Sequence, residues 1–136
     1  MKIYVLDASV IINFLLEKNA LLEKKFVKIL KQVKSGKTKL YSSYLLSLEV
    51  GNGLRYSLKD KTLASEAFQK FLDLPINFFI FTPAHYSKIL KLSYLFNTSF
   101  YDISYHFLAK LLNGVFLTCD NKYFKKAKSF KNIELL

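Results

Sequence analysis

Cysteine, tryptophan, arginine, glycine and proline are all scarce in this chain, and each shortage narrows what it can be. The single Cys119 has no partner for an intrachain disulfide and suits a reducing, intracellular compartment; alone it reads as a small buried hydrophobe. Four Gly and two Pro, with no repeat or low-complexity tract, exclude flexible linkers and predict short connections. Arg55 is the one arginine among 21 basic residues, which argues against bidentate reading of base edges and for looser tracking of phosphates. No apolar run reaches the ~20 residues that a membrane-spanning helix needs. Lys2 and the apolar stretch behind it have the outline of a signal peptide, but Asp7 interrupts it and no small-residue cleavage site follows. A cytoplasmic protein with no membrane partner is expected.

Against those shortages stand a long apolar content and a strong positive charge. With 136 residues, 51% of them hydrophobic, the chain is expected to form one domain, residues 1–136, that buries roughly two-thirds of its unfolded surface. The formal charge of +11 favours a polyanionic partner, nucleic acid before an acidic protein, over solubility alone.

Read along its length, the chain alternates strands with helices. Lys2 to Leu6 is a buried strand that ends in Asp7, and a helix follows from Ser9 to Glu17. A second helix runs from about Ala20 to Ser35, with Leu22, Phe26, Ile29, Leu30 and Val33 on one face and Lys24, Lys28 and Lys31 on the other, a solvated surface or an RNA contact; Gly36 ends it. Thr38 to Tyr41 is a strand, with Ser42 or Ser43 capping a helix from Tyr44 to about Leu58. A helix from Thr62 to Leu72 and a strand from Ile76 to Phe81 come next. Thr82 caps a helix that starts at Pro83 and turns Tyr86, Ile89, Leu90 and Leu95 inward, while His85 has no evident chemistry. A helix from Tyr101 to Leu112, a buried strand from Val115 to Thr118, a basic helix from Lys122 to Lys128 and a weak strand from Asn132 to Leu135 complete the pattern. Such alternation predicts an α/β fold, a parallel sheet of about five strands with helices on both faces.

Four acids occupy comparable settings. Asp7 and Asp120 stand at strand ends, Asp102 in the first turn of a helix, and Glu49 on a helix face that is otherwise apolar. Three or four carboxylates brought together without lysine or arginine nearby repel one another, and Mg²⁺ or Mn²⁺, which take hard oxygen ligands, is the physical reason to tolerate that. Each acid also has a structural alternative. Asp7 or Asp120 can cap the following helix, Ser99-Phe100-Tyr101-Asp102 fits a capping box, and Glu49 can reach solvent or pair with Arg55 or a lysine. Ser9 and Thr118 each lie two residues from an acid on the same side of an extended backbone, where a hydroxyl orients a carboxylate or caps the local backbone.

The stretch Tyr4-Val5-Leu6-Asp7-Ala8-Ser9-Val10 with Asn13, then Ser47 through Arg55 around Glu49, then Tyr101-Asp102-Ile103-Ser104, then Leu117-Thr118-Cys119-Asp120-Asn121, resembles in content, order and spacing the PIN-domain family, especially the VapC-type toxins of toxin-antitoxin pairs. The resemblance covers essentially the whole chain and fills all four acidic positions. It departs at Tyr105-His106, where the family generally has small or aliphatic residues; His106 is read as packing or surface, with the pocket as the alternative.

The resemblance implies a three-layer α/β/α fold with sheet order 3-2-1-4-5, so that Asp7 and Asp120 share the crevice where the winding reverses. It implies a Mg²⁺- or Mn²⁺-dependent endoribonuclease in which Asp7, Glu49, Asp102 and Asp120 are both metal ligands and catalytic residues, supported by Ser9, Asn13, Arg55 and Thr118. The products would carry a 5′ phosphate and a 3′ hydroxyl. The implied partners are an RNA substrate, a cognate antitoxin whose tail blocks the crevice, and a second copy in a homodimer. Two rival readings stand beside it: a non-catalytic module that holds RNA or an acidic protein, and a DNA-directed nuclease, since metal and phosphate chemistry does not distinguish the sugars.

Overall fold

The computed structural model describes residues 1–136. Strands β1 (Lys2–Leu6), β2 (Thr38–Ser43), β3 (Ile76–Phe79), β4 (Val115–Thr118) and β5 (Ile133–Leu135) form one parallel sheet in the order β3-β2-β1-β4-β5, the order that the resemblance implies. Seven helices connect and cover it: α1 (Ala8–Leu15), α2 (Ala20–Lys34), α3 (Leu45–Ser57), α4 (Lys61–Leu72), α5 (Pro83–Phe96), α6 (Phe100–Leu111) and α7 (Asn121–Ala127). Helices α1 to α4 pack on one another, and α5 packs on α6, which lies along β1 and β4. None of the helices is long and apolar enough to cross a membrane.

The central strand explains the layering. Tyr4, Val5 and Leu6 of β1 are buried, and Val5 is in register with Tyr41 of β2 on one side and Phe116 of β4 on the other. A strand that is apolar on both faces needs helices on both faces. Edge strand β3 leaves Phe78 exposed. Connections are short because caps stop the helices cleanly. Asn19 and Asp60 accept first-turn N–H groups at α2 and α4, and Gly36 adopts φ +78° after α2, a conformation that costs glycine little.

Two contacts fix where α1 and α3 stand. A β-carbon on Gly53 would lie 2.2 Å from the Ile12 terminal methyl, so glycine permits the close α1–α3 crossing one helical turn beyond Glu49. Ser42 donates to the Leu6 carbonyl at 2.7 Å, tying β2 to the residue before Asp7.

Three local expectations are corrected. Ser42 and Ser43 do not cap α3: β2 continues through both, Tyr44 holds the cap position without a side-chain bond, and the buried Ser43 hydroxyl has no partner. Strand β3 stops at Phe79, with Phe81 buried beyond it. In α5 only Ile89 of the four residues expected inside is buried; Tyr86, Leu90 and Leu95 are exposed, because α5 turns Ile89 and Ser93 inward.

Candidate active site

The chain winds from β1 through β2 to β3, then returns to β4 on the other side of β1. Helices therefore diverge at the carboxyl ends of β1 and β4 and leave a crevice there. Asp7 follows β1 directly, and Asp120 comes two residues after β4.

Asp7 is buried and held through both oxygens. One accepts from the Val10 backbone at 3.2 Å and from the Ser9 hydroxyl at 2.6 Å; the other accepts from the Thr118 hydroxyl at 2.6 Å. The Ser9 hydroxyl accepts from the Cys119 N–H at 2.9 Å, and Thr118 Oγ1 accepts from the Asp120 N–H at 3.1 Å. These hydroxyls stitch the ends of β1 and β4 into one network. Asp7 thus caps α1 and also belongs to a cross-strand cluster, so the cap does not exhaust its contacts. Asp120 likewise caps α7, accepting from the Tyr123 N–H at 2.9 Å. Half-buried Cys119 packs against the core, and its burial and the Asp7 charge push the thiol up to about 11, which keeps it protonated.

The third acid arrives on α6. Ser99 accepts from the Asp102 N–H at 3.0 Å, but the reciprocal bond of a capping box does not form; the Asp102 side chain lines a cavity together with Asp120. Glu49 arrives on α3 and accepts from the Tyr105 hydroxyl at 3.0 Å. It pairs with neither Arg55 nor a lysine.

Electrostatics link the four. Burial, opposed by the Ser9, Thr118 and Val10 hydrogen bonds and reinforced by Asp102, pushes Asp7 up to about 6. Burial raises Glu49 as well, against its Tyr105 bond, with Asp102 adding to the rise. Asp102 is raised by burial and by the charge of Asp120, against the pull of Ser99. Asp7, Glu49 and Asp102 each therefore sense another acid of the set. The Tyr105 hydroxyl, buried and facing Glu49, is raised far above its usual value and stays a donor.

The donor set is four carboxylates with hydroxyls and no thiolate or imidazole, the chemistry of a hard divalent cation. No three acidic, histidine or cysteine side chains are grouped closely enough here to form a ready ion cage. The donors fit the ion by chemistry.

The remaining expected residues fall in different places. Asn13, one turn after Ser9, donates to the Ser9 carbonyl at 2.7 Å and so braces α1. Arg55 is not brought to the acids: it lies against the Tyr56 ring and lines a separate cavity between α3 and α4 with Gly51 and Phe68. His106 is fully buried; its Nε2 donates to the Lys131 carbonyl, so Nδ1 is unprotonated and accepts from the Tyr123 hydroxyl at 2.8 Å. It is a packing residue that ties α6 to α7. His85 completes a capping box with Thr82 at the start of α5.

Sequence reasoning missed Tyr105, Tyr123, Lys122 and Lys126. Tyr105 stands three residues after Asp102 and the lysines two and six after Asp120, spacings that offered a signal once the helices were assigned. The two lysines also correct an expectation, since they line the cavity of Asp102 and Asp120.

Comparison with known proteins agrees with this architecture. The family model described as PIN domain matches residues 4–129. No functionally curated protein matches the chain in sequence. Among solved structures, PAE2754 from Pyrobaculum aerophilum is similar at 21% identity and TM-score 0.70, covering 98% of this chain and 88% of that one. A chain of VapBC2 from Rickettsia felis, bound to a DNA fragment from its promoter, is similar at 15% identity and TM-score 0.71, covering 98% and 97%. A chain of VapBC-1 from nontypeable Haemophilus influenzae is similar at 19% identity and TM-score 0.62, also covering 98% and 97%. At these identities the structures speak to fold, and the family-model match across nearly all of the sequence speaks to descent: the chain belongs to the PIN domain family.

Proposed function

We propose that this chain, as one domain over residues 1–136, is a Mg²⁺- or Mn²⁺-dependent endoribonuclease of the cytoplasm and the toxin component of a toxin-antitoxin pair. The observation that carries the reading is the set of acids around the β1–β4 crevice, of which Asp7, Glu49 and Asp102 are held above the usual carboxylate range. None of the hydrogen bonds that the acids accept comes from a lysine or arginine. Asp7, Glu49, Asp102 and Asp120 would hold the ion. When bound, it supplies a water of lowered pKa and positive charge against the phosphoryl oxygens of an in-line displacement. The residues of the chain do the positioning. Ser9 and Thr118 hold the two oxygens of Asp7, Tyr105 holds Glu49, and no side chain need act as nucleophile.

Incubating the protein with RNA and Mg²⁺ or Mn²⁺, with and without excess EDTA, tests this. Cleavage that EDTA abolishes, leaving 5′ phosphates, is expected; undiminished cleavage in EDTA overturns the mechanism. Competition between matched RNA and DNA strands decides the sugar. The absence of a ready ion cage favours the rival, a non-catalytic binding module. Calorimetry with Mn²⁺ separates the two, since a module alone shows RNA affinity without a metal site.

Two protein partners complete the proposal. The likeness to VapBC2 and VapBC-1 supports a cognate antitoxin that blocks the crevice, so growth arrest on expressing this chain alone should be relieved by co-expressing it. A homodimer is supported by the outer face of α5, where Tyr86, Leu90 and Tyr94 stand exposed one turn apart. Such an apolar stripe can meet its own copy across a twofold axis. Light scattering on L90K/Y94K should find a monomer where the wild type is a dimer.

A further inference from the structure

The acid crevice opens into a cavity whose remaining lining is not acidic. It has a volume of about 190 Å³, and of its eight lining residues only Tyr123 has an apolar body. Asp102 and Asp120 form one side, and Lys122 and Lys126 of α7 form another. Residues four apart on a helix share a face, so both ammonium groups rise from α7 on the side of the cavity. Because Asp120 caps α7, one short helix and its cap carry both an acid and the two cations.

The lysines do not neutralise the acids. Lys126 donates to the Asn97 carbonyl at 3.0 Å, and the Asp120 carboxylate accepts from the Tyr123 backbone. No hydrogen bond joins either lysine to Asp102 or Asp120, and the causes that move Asp102 from its ordinary value include Asp120 but neither lysine. Asn97 ends α5 in a left-handed conformation, φ 51°, and Thr98 alone separates it from the Ser99 cap of α6. Lys126 therefore bridges α7 to the turn that presents Asp102, and that bond holds its ammonium group on the cavity side. Two of its three N–H donors, and all three of Lys122, remain for an incoming acceptor.

A polyanion entering a crevice of bare carboxylates is repelled unless positive groups meet it at the rim. On the nuclease reading, the bound ion faces the phosphate under attack, and a second phosphate of the same strand needs its own counter-charge. We infer that Lys122 and Lys126 form a subsite for an RNA phosphate flanking the scissile one, donating to its non-bridging oxygens beside the ligands Asp102 and Asp120. This rests on the proposed activity and assigns to two of the twenty lysines a place in it. They position substrate; they are not ligands of the ion.

The test compares K122Q/K126Q with K24Q/K28Q/K31Q, which strips three charges from the exposed face of α2. Cleavage of a short single-stranded RNA is measured at saturating Mn²⁺ across a range of salt, and RNA binding without divalent ions by fluorescence anisotropy. For K122Q/K126Q, KM should rise about tenfold with kcat within about threefold. The slope of log affinity against log salt should fall by about 0.7, because one RNA phosphate is no longer neutralised by the protein. The α2 variant should keep the wild-type slope more closely. Equal losses in the two variants, or wild-type KM and slope in K122Q/K126Q, overturn the subsite. A wild-type protein that binds RNA but cuts nothing in Mg²⁺ or Mn²⁺ overturns the nuclease reading instead. The anisotropy arm then still decides the lysines, since unchanged RNA affinity in K122Q/K126Q rejects them.

Discussion

Helices α1 and α4 begin in the same way, at an aspartate whose carboxylate accepts first-turn N–H groups. Asp7 accepts from Val10, and Asp60 accepts from Thr62 and Leu63. Around that shared motif the two sites diverge. Asp60 is exposed, and its bonds are those of a cap alone. Asp7 is buried, takes two further bonds from Ser9 and Thr118, and is pushed up to about 6 by burial. The second oxygen of Asp7 is reached by a hydroxyl 111 residues away. A cap becomes a candidate site when distant chain is packed over it, so capping is no evidence against chemistry.

The strongest break in the comparison is to neutralise each cap in turn. D7N should lower metal-dependent cleavage by more than about 100-fold, a floor set by the 10–100-fold that removal of a mere supporting partner costs. D60N should cleave like wild type. Without metal, D7N should melt at or above the wild-type temperature, because it removes a buried negative charge whose hydrogen-bond donors are all neutral. Equal cleavage by D7N and wild type would reduce Asp7 to the status of Asp60.

Next in size is the bond that distinguishes the two caps. T118V keeps the shape of Thr118 and removes its hydroxyl, leaving one Asp7 oxygen without a donor in a buried place. Cleavage should fall about 10–100-fold, with Mn²⁺ affinity by calorimetry falling in parallel. Wild-type metal affinity in T118V would mean that the hydroxyl only caps its own loop.

How far the sequence discloses this follows from which interactions are local. The strand ending in Asp7, the order of elements, Thr82-Pro83 at the start of α5 and Gly36 after α2 are written in spacings of a few residues, and the structure has them. The approach of Glu49 and Asp120 to Asp102 is not local; the settings of the acids and the family resemblance suggested it, and no spacing along the chain measures it. Helical periodicity in α5 offers two apolar stripes, and nothing in the spacing decides between Ile89 with Ser93 and Tyr86 with Leu90. The Tyr105 bond to Glu49 joins residues 56 apart in the chain, and Lys126 reaches a turn 29 residues earlier. Arg55 failed for the same reason: its spacing from Glu49 fits the same helix but takes it to the α4 side.

The two histidines repeat the contrast of cap and buried brace, His85 half-buried and His106 fully buried, and extend it to pH. His85 closes the capping box of α5, whereas burial, partly opposed by the Lys131 carbonyl bond and reinforced by Lys110, lowers His106 to about 4. Below its ordinary value of 6.5 the unfolded histidine binds a proton that the folded one refuses until about pH 4. Its contribution is therefore fully present above about pH 6.5 and lost as pH falls toward 4, at no more than about 1.4 kcal/mol per pH unit. Asp7, raised to about 6, acts with the opposite sign in both proteins, so urea denaturation between pH 4 and 7.5 should show this slope as the difference between wild type and H106Q. The same slope in both proteins would assign the acid sensitivity to other groups.

The smallest effect tests the exposed member of the first pair. D60A removes a cap that accepts at 2.8 and 3.1 Å from two N–H groups which solvent can reach, so water replaces much of what is lost. The expected cost is about 1 kcal/mol, visible as a lowered urea midpoint at unchanged slope. Metal affinity and cleavage should stay at wild-type values, because α4 meets α1 and α3 while Asp60 itself lies outside the crevice. If D60A instead weakened Mn²⁺ binding, fraying of α4 would be reaching the acids through α1 and α3. Burial at Asp7 would then be a property of the whole helical layer, not of the β1–β4 junction alone.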